Sequence, residues 1–335
     1  MFQTKVVRIG IIGLGVGRWH IESYLSIPES KVSAICDIDE DKIKSITTKY
    51  GIIRSYTSYE ELCKSDDIDA VSICAPNYLH APIAMCAIEN GKHILCETPI
   101  STTSQDAEKI LNVANKFPNI KAMMAMRFRF NRDAIYIKNA IKNGDVGDVY
   151  YGFTSYLKQL GRAPGKENWR MKKEFSGGGT LIDNGLYLLD LIWWMMGCPK
   201  PISAYGSTHN KLENSDTSVE DLANGIIRFE NDATIMIESG WKTLIHDGNM
   251  ALRVFGTKGN ATLWPFRMFM EDGRNITART ADHSGIIAEN QFAHFVNCIM
   301  NNKQPIPNIE QGMIVLKMLD AIYHSAKEKK VVEIR

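Results

Sequence analysis

Gly13-Leu14-Gly15-Val16-Gly17 follows a nearly continuous apolar run, Val6, Val7, Ile9, Ile11 and Ile12, and precedes a stretch from Arg18 to Ser26 that reads as a helix. An apolar run of this kind suits a parallel strand covered on both faces. Glycines in the turn let bare backbone approach a pyrophosphate, whose charge is favoured by the N–H groups and dipole at the start of the next helix. A second apolar strand, Ser30 to Cys36, ends in Asp37, where a carboxylate can hydrogen-bond an adenosine ribose. The chemistry these residues suit is dinucleotide binding. The spacing is irregular: the third glycine arrives one place early, at Gly17, the sixth position is Arg18, and Asp37 lies 24 residues beyond Gly13. An ordinary glycine turn in an α/β domain is the competing reading of these residues alone.

The elements that must position this turn follow in order. Ile43 and Ile46 fit a short helix, Ile52 to Tyr56 a brief strand and Tyr59 to Lys64 a helical turn. Ala70 to Ala75 reads as a buried strand closed by Pro76-Asn77. Ala81 to Glu89 is a helix ended by Gly91, His93 to Cys96 a strand closed by Glu97-Thr98-Pro99, and Ser104 to Lys116 a helix stopped before Pro118. Strands alternating with helices of this length predict right-handed crossovers and a doubly wound parallel sheet, a Rossmann domain over residues 1–122. After the strand Ile120 to Met126 the pattern changes. A helix at Ala134 to Asn143 is followed by alternating segments at Val149–Tyr156, Ile202–Ser207, Ala223–Phe229, Thr234–Ser239, Met250–Phe255 and Ala261–Phe266. This hairpin spacing predicts a second, α+β domain over residues 123–335 with a mostly antiparallel sheet. It closes with helices near Ala288–Met300 and Glu310–Ala326 and a short strand at Val331–Ile334.

At 335 residues the chain exceeds what a single hydrophobic core usually supports. Its 39 Lys and Arg balance 38 Asp and Glu, which leaves no basic field for nucleic acid and no polybasic signal for a membrane. The longest apolar helix-like run, Leu186 to Met196, contains Asp190 and is too short to span a bilayer. No secretory signal precedes the first strand. Seven scattered cysteines without a CxxC pair or a Cys/His cluster fit buried free thiols in a reducing cytoplasm, with no disulfide and no metal.

The order of motifs resembles the glucose-fructose oxidoreductase, inositol dehydrogenase and MocA family over almost the whole length. The likeness rests on the glycine turn with His20, Asp37, Ala75-Pro76-Asn77 with His80, and Gly91-Lys92-His93-Ile94-Leu95-Cys96-Glu97 leading into Pro99. It continues through Arg127-Phe128, Gly144-Asp145-Val146-Gly147, Trp169-Arg170, Gly177-Gly178-Gly179, Asp183 with Gly185, Gly256-Thr257-Lys258-Gly259, and Ala321-Ile322 with Ser325. The resemblance implies hydride transfer between a nicotinamide and a hydroxyl of a sugar, cyclitol or sugar derivative. It implies that Gly13, Gly15, Val16, Gly17 and Arg18 hold the pyrophosphate and Asp37 the ribose. Ala75, Pro76, Asn77, His80, Glu97 and Thr98 would lie beside the nicotinamide ribose. Ile38 after Asp37, with no arginine to neutralise a 2′-phosphate, favours NAD over NADP. Arg127, Lys158, Trp169, Arg170, Asp183 and Tyr187 are the expected substrate contacts, with Asp183 and Tyr187 in the proton path. By the same resemblance a homodimer or homotetramer is expected.

Two departures bear on the chemistry. The family usually has Glu-Lys-Pro where this chain has Glu97-Thr98-Pro99, so the lysine that binds the reacting hydroxyl is replaced by Thr98. The family often has Asp-x-x-x-His where this chain has Asp183 and Tyr187, a change that resembles glucose-fructose oxidoreductase. Four residues apart, Asp183 and Tyr187 share one face of a helix beginning after the glycine run. A phenol can exchange the hydroxyl proton if a neighbouring cation lowers its pKa, whereas Asp183 would raise it. Arg127, Lys158, Arg162 and Lys166 are the candidates for that cation. The structural alternatives are Asp183 as a helix cap, Tyr187 as packing, Arg127 in an interdomain ion pair, and His20 and His80 as surface or packing residues. Trp193-Trp194-Met195-Met196 reads as core or subunit interface. Two other functions compete: a non-catalytic or weakly active dinucleotide-binding regulator or sensor, and transient oxidation by bound NAD during elimination or glycoside cleavage.

Overall fold

Six short parallel strands form the first sheet: β1 (Val7–Ile12), β2 (Ser30–Cys36), β3 (Arg54–Tyr56), β4 (Ala70–Ile73), β5 (His93–Cys96) and β6 (Ala122–Met124). They lie in the order β3-β2-β1-β4-β5-β6. The computed structural model describes residues 6–158, 168–211, 217–241, 243, 249–272, 275–284, 286 and 289–335. Between the strands run α1 (Gly17–Leu25), α2 (Glu40–Tyr50), α3 (Tyr59–Lys64), α4 (Asn77–Glu89) and α5 (Ser104–Lys116). The strand order reverses between β1 and β4, and a doubly wound sheet binds ligands beyond its strand ends at such a switch point. The glycine turn and Pro76–Asn77 are the segments that leave β1 and β4 there. β1 and β4 are almost wholly buried, as their nearly continuous apolar runs require.

Packing divides the chain into two units, Met1–Met126 with Glu289–Met313, and Arg127–Ala288 with Ile314–Arg335. The first unit thus includes α9 (Gln291–Met300) as well as the Rossmann elements. Phe292 of α9 stands edge-on to His20 and Tyr24 of α1, with ring centroids 4.7 Å and 5.1 Å apart.

The second unit carries a nine-stranded sheet of β7 (Val149–Leu157), β8 (Pro201–His209), β9 (Leu222–Phe229), β10 (Thr234–Gly240), β11 (Asn249–Gly256), β12 (Gly259–Leu263), β13 (Arg267–Asp272), β14 (Asn275–Arg279) and β15 (Val332–Glu333). Their order is β14-β13-β12-β11-β7-β10-β9-β8-β15. All the described pairs in it are antiparallel except β7 with β10. The hairpin β13–β14 was not foreseen, and the strand expected to reach Phe266 stops at Leu263, where Trp264 takes a φ of 60° and the chain turns. The remaining helices are α6 (Arg132–Lys142), α7 (Lys173–Ser176), α8 (Leu186–Met195) and α10 (Ile309–Glu328). Ile192 of α8 fills the space over Gly152 of β7, and Ile322 of α10 fills that over Gly206 and Gly225. One face of the sheet is covered in this way. Among the described residues no helix is long and apolar enough to cross a membrane, and all seven cysteines are free thiols.

Candidate active site

Each glycine of the turn after β1 has a different neighbour. Gly13 has φ +90°, and a Cβ there would sit 2.5 Å from the Cys74 carbonyl oxygen, so only glycine fits. A Cβ on Gly17 would lie 2.8 Å from Ile11 Cγ2, which makes Gly17 the close contact between helix and strand despite its early position. A Cβ on Gly15 would meet nothing within 4 Å. Protein packing therefore does not demand glycine at 15, and the space beside its backbone is open to a ligand. α1 begins at Gly17 with no side-chain cap and no acidic residue in its first turn, which keeps its N-terminal donors compatible with an anion. Val16 and Arg18, on either side of Gly17, are exposed.

Asp37 is fixed at the end of β2 by two backbone donors. Its Oδ2 accepts from Leu14 N at 2.7 Å and its Oδ1 from Asp39 N at 3.0 Å. The carboxylate is thereby tied to the glycine turn, and each oxygen retains a lone pair for a ribose hydroxyl. Ile38 beside it is 91% exposed. These residues fit the adenosine and pyrophosphate of a dinucleotide.

At the ends of β4 and β5 a buried network replaces what looked like packing histidines. His20 Nε2 lies 2.7 Å from Glu97 Oε1, and His20 Nδ1 lies 2.7 Å from the Ser72 hydroxyl. The Nε2–H donates to the Glu97 carboxylate. Burial pushes the Glu97 carboxyl up, but the hydrogen bond and pull of His20, with the Thr98 N–H, hold it below the usual range. His20 is thus the residue that orients Glu97. Its only mark in the sequence is its place three residues after Gly17, on the second half-turn of α1.

His80 is also buried. Its Nδ1 lies 2.6 Å from the Pro99 carbonyl and its Nε2 2.7 Å from the Ala75 carbonyl. A neutral ring donates its one N–H to one of these carbonyls, so His80 sits between the segments leaving β4 and β5 and is tied to one of them. Burial lowers its pKa, against the raising effect of the two carbonyls and of Glu97. Asn77 opens α4, whose N-terminus carries no side-chain cap, and Thr98 N donates to Glu97 Oε2 at 3.4 Å.

In the second unit, the glycine run after α7 is set by two neighbours, the half-buried Tyr323 and the buried Glu220. A Cβ on Gly178 would fall 2.2 Å from the Tyr323 hydroxyl, and one on Gly179 1.9 Å from the Glu220 carbonyl oxygen. The Glu220 carboxylate accepts from Gly179 N and Leu181 N, both at 2.9 Å, and from the Tyr323 hydroxyl at 2.9 Å. From here the chain makes a π-helical turn, Leu181–Gly185, before α8 begins. The expected continuous helix is therefore interrupted, with Leu186 N reaching the Leu181 carbonyl. Single π turns recur at functional sites because they re-aim side chains without breaking the helix.

Asp183 lies in this turn and is exposed. Its Oδ2 accepts from the indole Nε1 of buried Trp241 at 3.0 Å, so it does not act as a helix cap. Trp241 packs with Met171 and Val219. Met171 ends the 3₁₀ turn that carries Trp169 and Arg170, whose guanidinium stacks 4.4 Å from the Trp169 ring. The sequence offered no signal for Trp241, which lies just past the end of β10. Lys158 Nζ donates to Asn184 Oδ1 at 2.6 Å. The Arg127 guanidinium carbon lies 5.2 Å from the Tyr187 ring centroid and 5.0 Å from that of Phe128. Phe128 in turn stands edge-on to Tyr187 and Trp264. Arg162 and Lys166 lie outside the described residues.

Comparison with known proteins matches both halves of the chain to one family. Residues 7–125 match the family model described as "Oxidoreductase family, NAD-binding Rossmann fold" and residues 138–334 the one described as "Oxidoreductase family, C-terminal alpha/beta domain". The chain belongs to the Gfo/Idh/MocA oxidoreductase family. Its first unit holds the family's NAD-binding Rossmann domain. Among members of the family, D-glucoside 3-dehydrogenase of Escherichia coli is 26% identical over 99% of this chain and 98% of its own. Myo-inositol 2-dehydrogenase of Thermotoga maritima is 24% identical over 98% of each. Aldose-aldose oxidoreductase from Caulobacter crescentus, solved with glycerol, superposes with a TM-score of 0.84 at 26% identity, over 98% of this chain and 99% of that one.

Proposed function

We propose that the protein is an NAD-dependent dehydrogenase that oxidises a hydroxyl of a sugar, cyclitol or sugar derivative. The observation that carries this reading is the pairing of Asp183, exposed and oriented by Trp241, with Tyr187 one turn later on α8. The names of the two curated relatives support a polyol substrate. Bound NAD supplies the hydride acceptor. Gly13, Gly15 and Gly17 keep the turn open to the pyrophosphate, Asp37 takes ribose hydroxyls, and Glu97, held by His20, lies at the nicotinamide end. Tyr187 takes the proton of the reacting hydroxyl and passes it to solvent, and Asp183 hydrogen-bonds and orients the substrate. Ile38, in place of a cation, supports NAD over NADP. Free thiols suit a reducing compartment such as the cytoplasm.

The sheet face left open by α8 and α10 supports a homodimer or homotetramer. Tyr205 and Ile226 are 49% and 47% exposed there, and Arg253 stacks on Phe153 at 5.3 Å. Light scattering of the purified chain measures the assembly directly.

The test of function is a panel of sugars, cyclitols and nucleotide-linked sugars offered with NAD and NADP. Turnover that falls at least about 10²-fold in Tyr187→Phe is expected; full activity in that variant refutes the assignment. Thr98 supports a second reading, a dinucleotide-binding regulator. Tight NAD binding without turnover on any substrate, with activity gained in Thr98→Lys, would favour it.

A further inference from the structure

We propose that Arg127 is the positioned cation of the proton path, taking over for Tyr187 the charge role of the lysine replaced by Thr98, and that the buried pair Arg129–Asp190 is the device that positions it. The inference rests on Tyr187 as the proton acceptor and adds which charge tunes it and how that charge is held.

Tyr187 has a cation and aromatic rings for neighbours. Its ring has the Arg127 guanidinium 5.2 Å from its centroid and Phe128 edge-on at 5.7 Å, with Trp264 behind Phe128 at 5.2 Å. Tyr187 and Phe128 are half-buried and Arg127 is exposed, so the guanidinium acts on the phenol at short range and partly through solvent. Of the other charged groups on the elements that pack against α8, Arg132 and Lys142 of α6 are exposed, Asp133 of α6 meets His283, and several more are engaged elsewhere. Lys158 at the end of β7 donates to Asn184. Lys138 of α6 donates to the Trp194 carbonyl at 2.7 Å and lies over the Trp194 ring. Glu238 of β10 accepts from Ser155, and Arg253 of β11 stacks on Phe153. On its own helix Tyr187 is flanked by Asp183, which accepts from Trp241, and by Asp190.

Asp190 explains why Arg127 stays in place. It receives two hydrogen bonds from Arg129, Nε at 2.7 Å and Nη2 at 2.6 Å, and both side chains are 1% exposed. A bidentate guanidinium–carboxylate pair admits essentially one relative orientation. Arg129 lies two residues after Arg127 in the 3₁₀ turn Arg127–Phe130, and Asp190 lies three residues after Tyr187 in α8. Fixing that pair fixes the turn against the helix, and with it Arg127 over Tyr187. Arginine keeps its proton at all working pH values. Arg127 therefore stabilises a Tyr187 phenolate without being able to relay the proton, unlike a lysine.

The test reads Tyr187 itself and needs no substrate. In full-length protein labelled with [13Cζ]tyrosine, the Tyr187 signal is assigned by its loss in Tyr187→Phe and followed through an alkaline titration. Arg127→Met should raise its midpoint by on the order of one pH unit, and Arg127→Lys should restore most of the shift. Arg129→Met with Asp190→Leu together replaces the buried pair by apolar groups, a change that need not cost stability. It too should raise the midpoint, although Arg127 is intact. A midpoint unmoved by Arg127→Met overturns the charge role. A midpoint moved by Arg127→Met but not by the folded double variant overturns the positioning role. Failure of the proton-acceptor reading is seen separately, as full turnover in Tyr187→Phe with the Arg127 effect still present.

Discussion

Alanine placed in turn at Gly13, Gly15 and Gly17 should separate folding from cofactor binding within five residues of chain. At Gly13 the methyl would meet a carbonyl oxygen at 2.5 Å in a backbone of φ +90°. The positive φ costs about 1–2 kcal/mol and the overpacking about 1–3 kcal/mol more, so Gly13→Ala should lose roughly 2–5 kcal/mol of stability. At Gly17 the contact with Ile11 at 2.8 Å brings a similar packing penalty, offset by up to about 1 kcal/mol of helix propensity. At Gly15 the methyl meets no protein atom within 4 Å, so stability should change by less than about 0.5 kcal/mol. The same methyl would occupy the space from which a pyrophosphate reaches the backbone N–H groups. Losing one such charge-assisted hydrogen bond costs about 1.5–3 kcal/mol, which weakens NAD binding about 10- to 100-fold. Urea denaturation measures the first quantity and titration calorimetry with NAD the second. Gly15→Ala that binds NAD as tightly as the parent, or that unfolds as readily as Gly13→Ala, would refute the assignment of this turn as the pyrophosphate cradle.

Two further outcomes follow from the first unit. Asp37→Ser combined with Ile38→Arg removes a carboxylate and adds a guanidinium where a 2′-phosphate would lie, and should shift the ratio of NADP to NAD affinity upward by at least about tenfold; an unchanged ratio would mean that the ribose lies elsewhere. Burial lowers the His80 pKa from its ordinary 6.5, so below that pH the unfolded chain binds a proton that the folded chain resists, and stability falls with pH. Denaturation midpoints from pH 7.5 to 5.0 should decline in the parent and decline less in His80→Gln, and a parent that gains stability over this range would contradict the burial argument.

The first sheet was legible because a buried parallel strand must be apolar throughout, and β1, β2, β4 and β5 each announce themselves as such runs closed by glycine, aspartate or proline. Asp37 and the three glycines were legible for the same local reason: their chemistry is carried by backbone conformation and by position at a strand end. The rest of the site depends on contacts between residues far apart in sequence. His20 reads as a helix residue until β5 brings Glu97 to within 2.7 Å of it, 77 positions along the chain. Asp183 was expected in the proton path, with helix capping as the alternative, but nothing in the sequence pointed to Trp241, 58 residues later, as the donor to its carboxylate. The π turn has no sequence signature either; beside it, Glu220, in the segment before β9, holds the N–H groups of Gly179 and Leu181 from 41 and 39 residues further along the chain. Arg129 and Asp190 make the point most sharply. Arg129 carried no expectation of its own and Asp190 stood out only as an acid within an apolar run, and each is accounted for by the other. An acid in the middle of Leu186–Met196 could have been read as a demand for a buried cation, because an unpaired carboxylate there would be prohibitively costly. That inference requires a partner without naming it. The partner is two residues from Arg127, so the charge that spoils the apolar helix also anchors the turn that brings Arg127 to Tyr187.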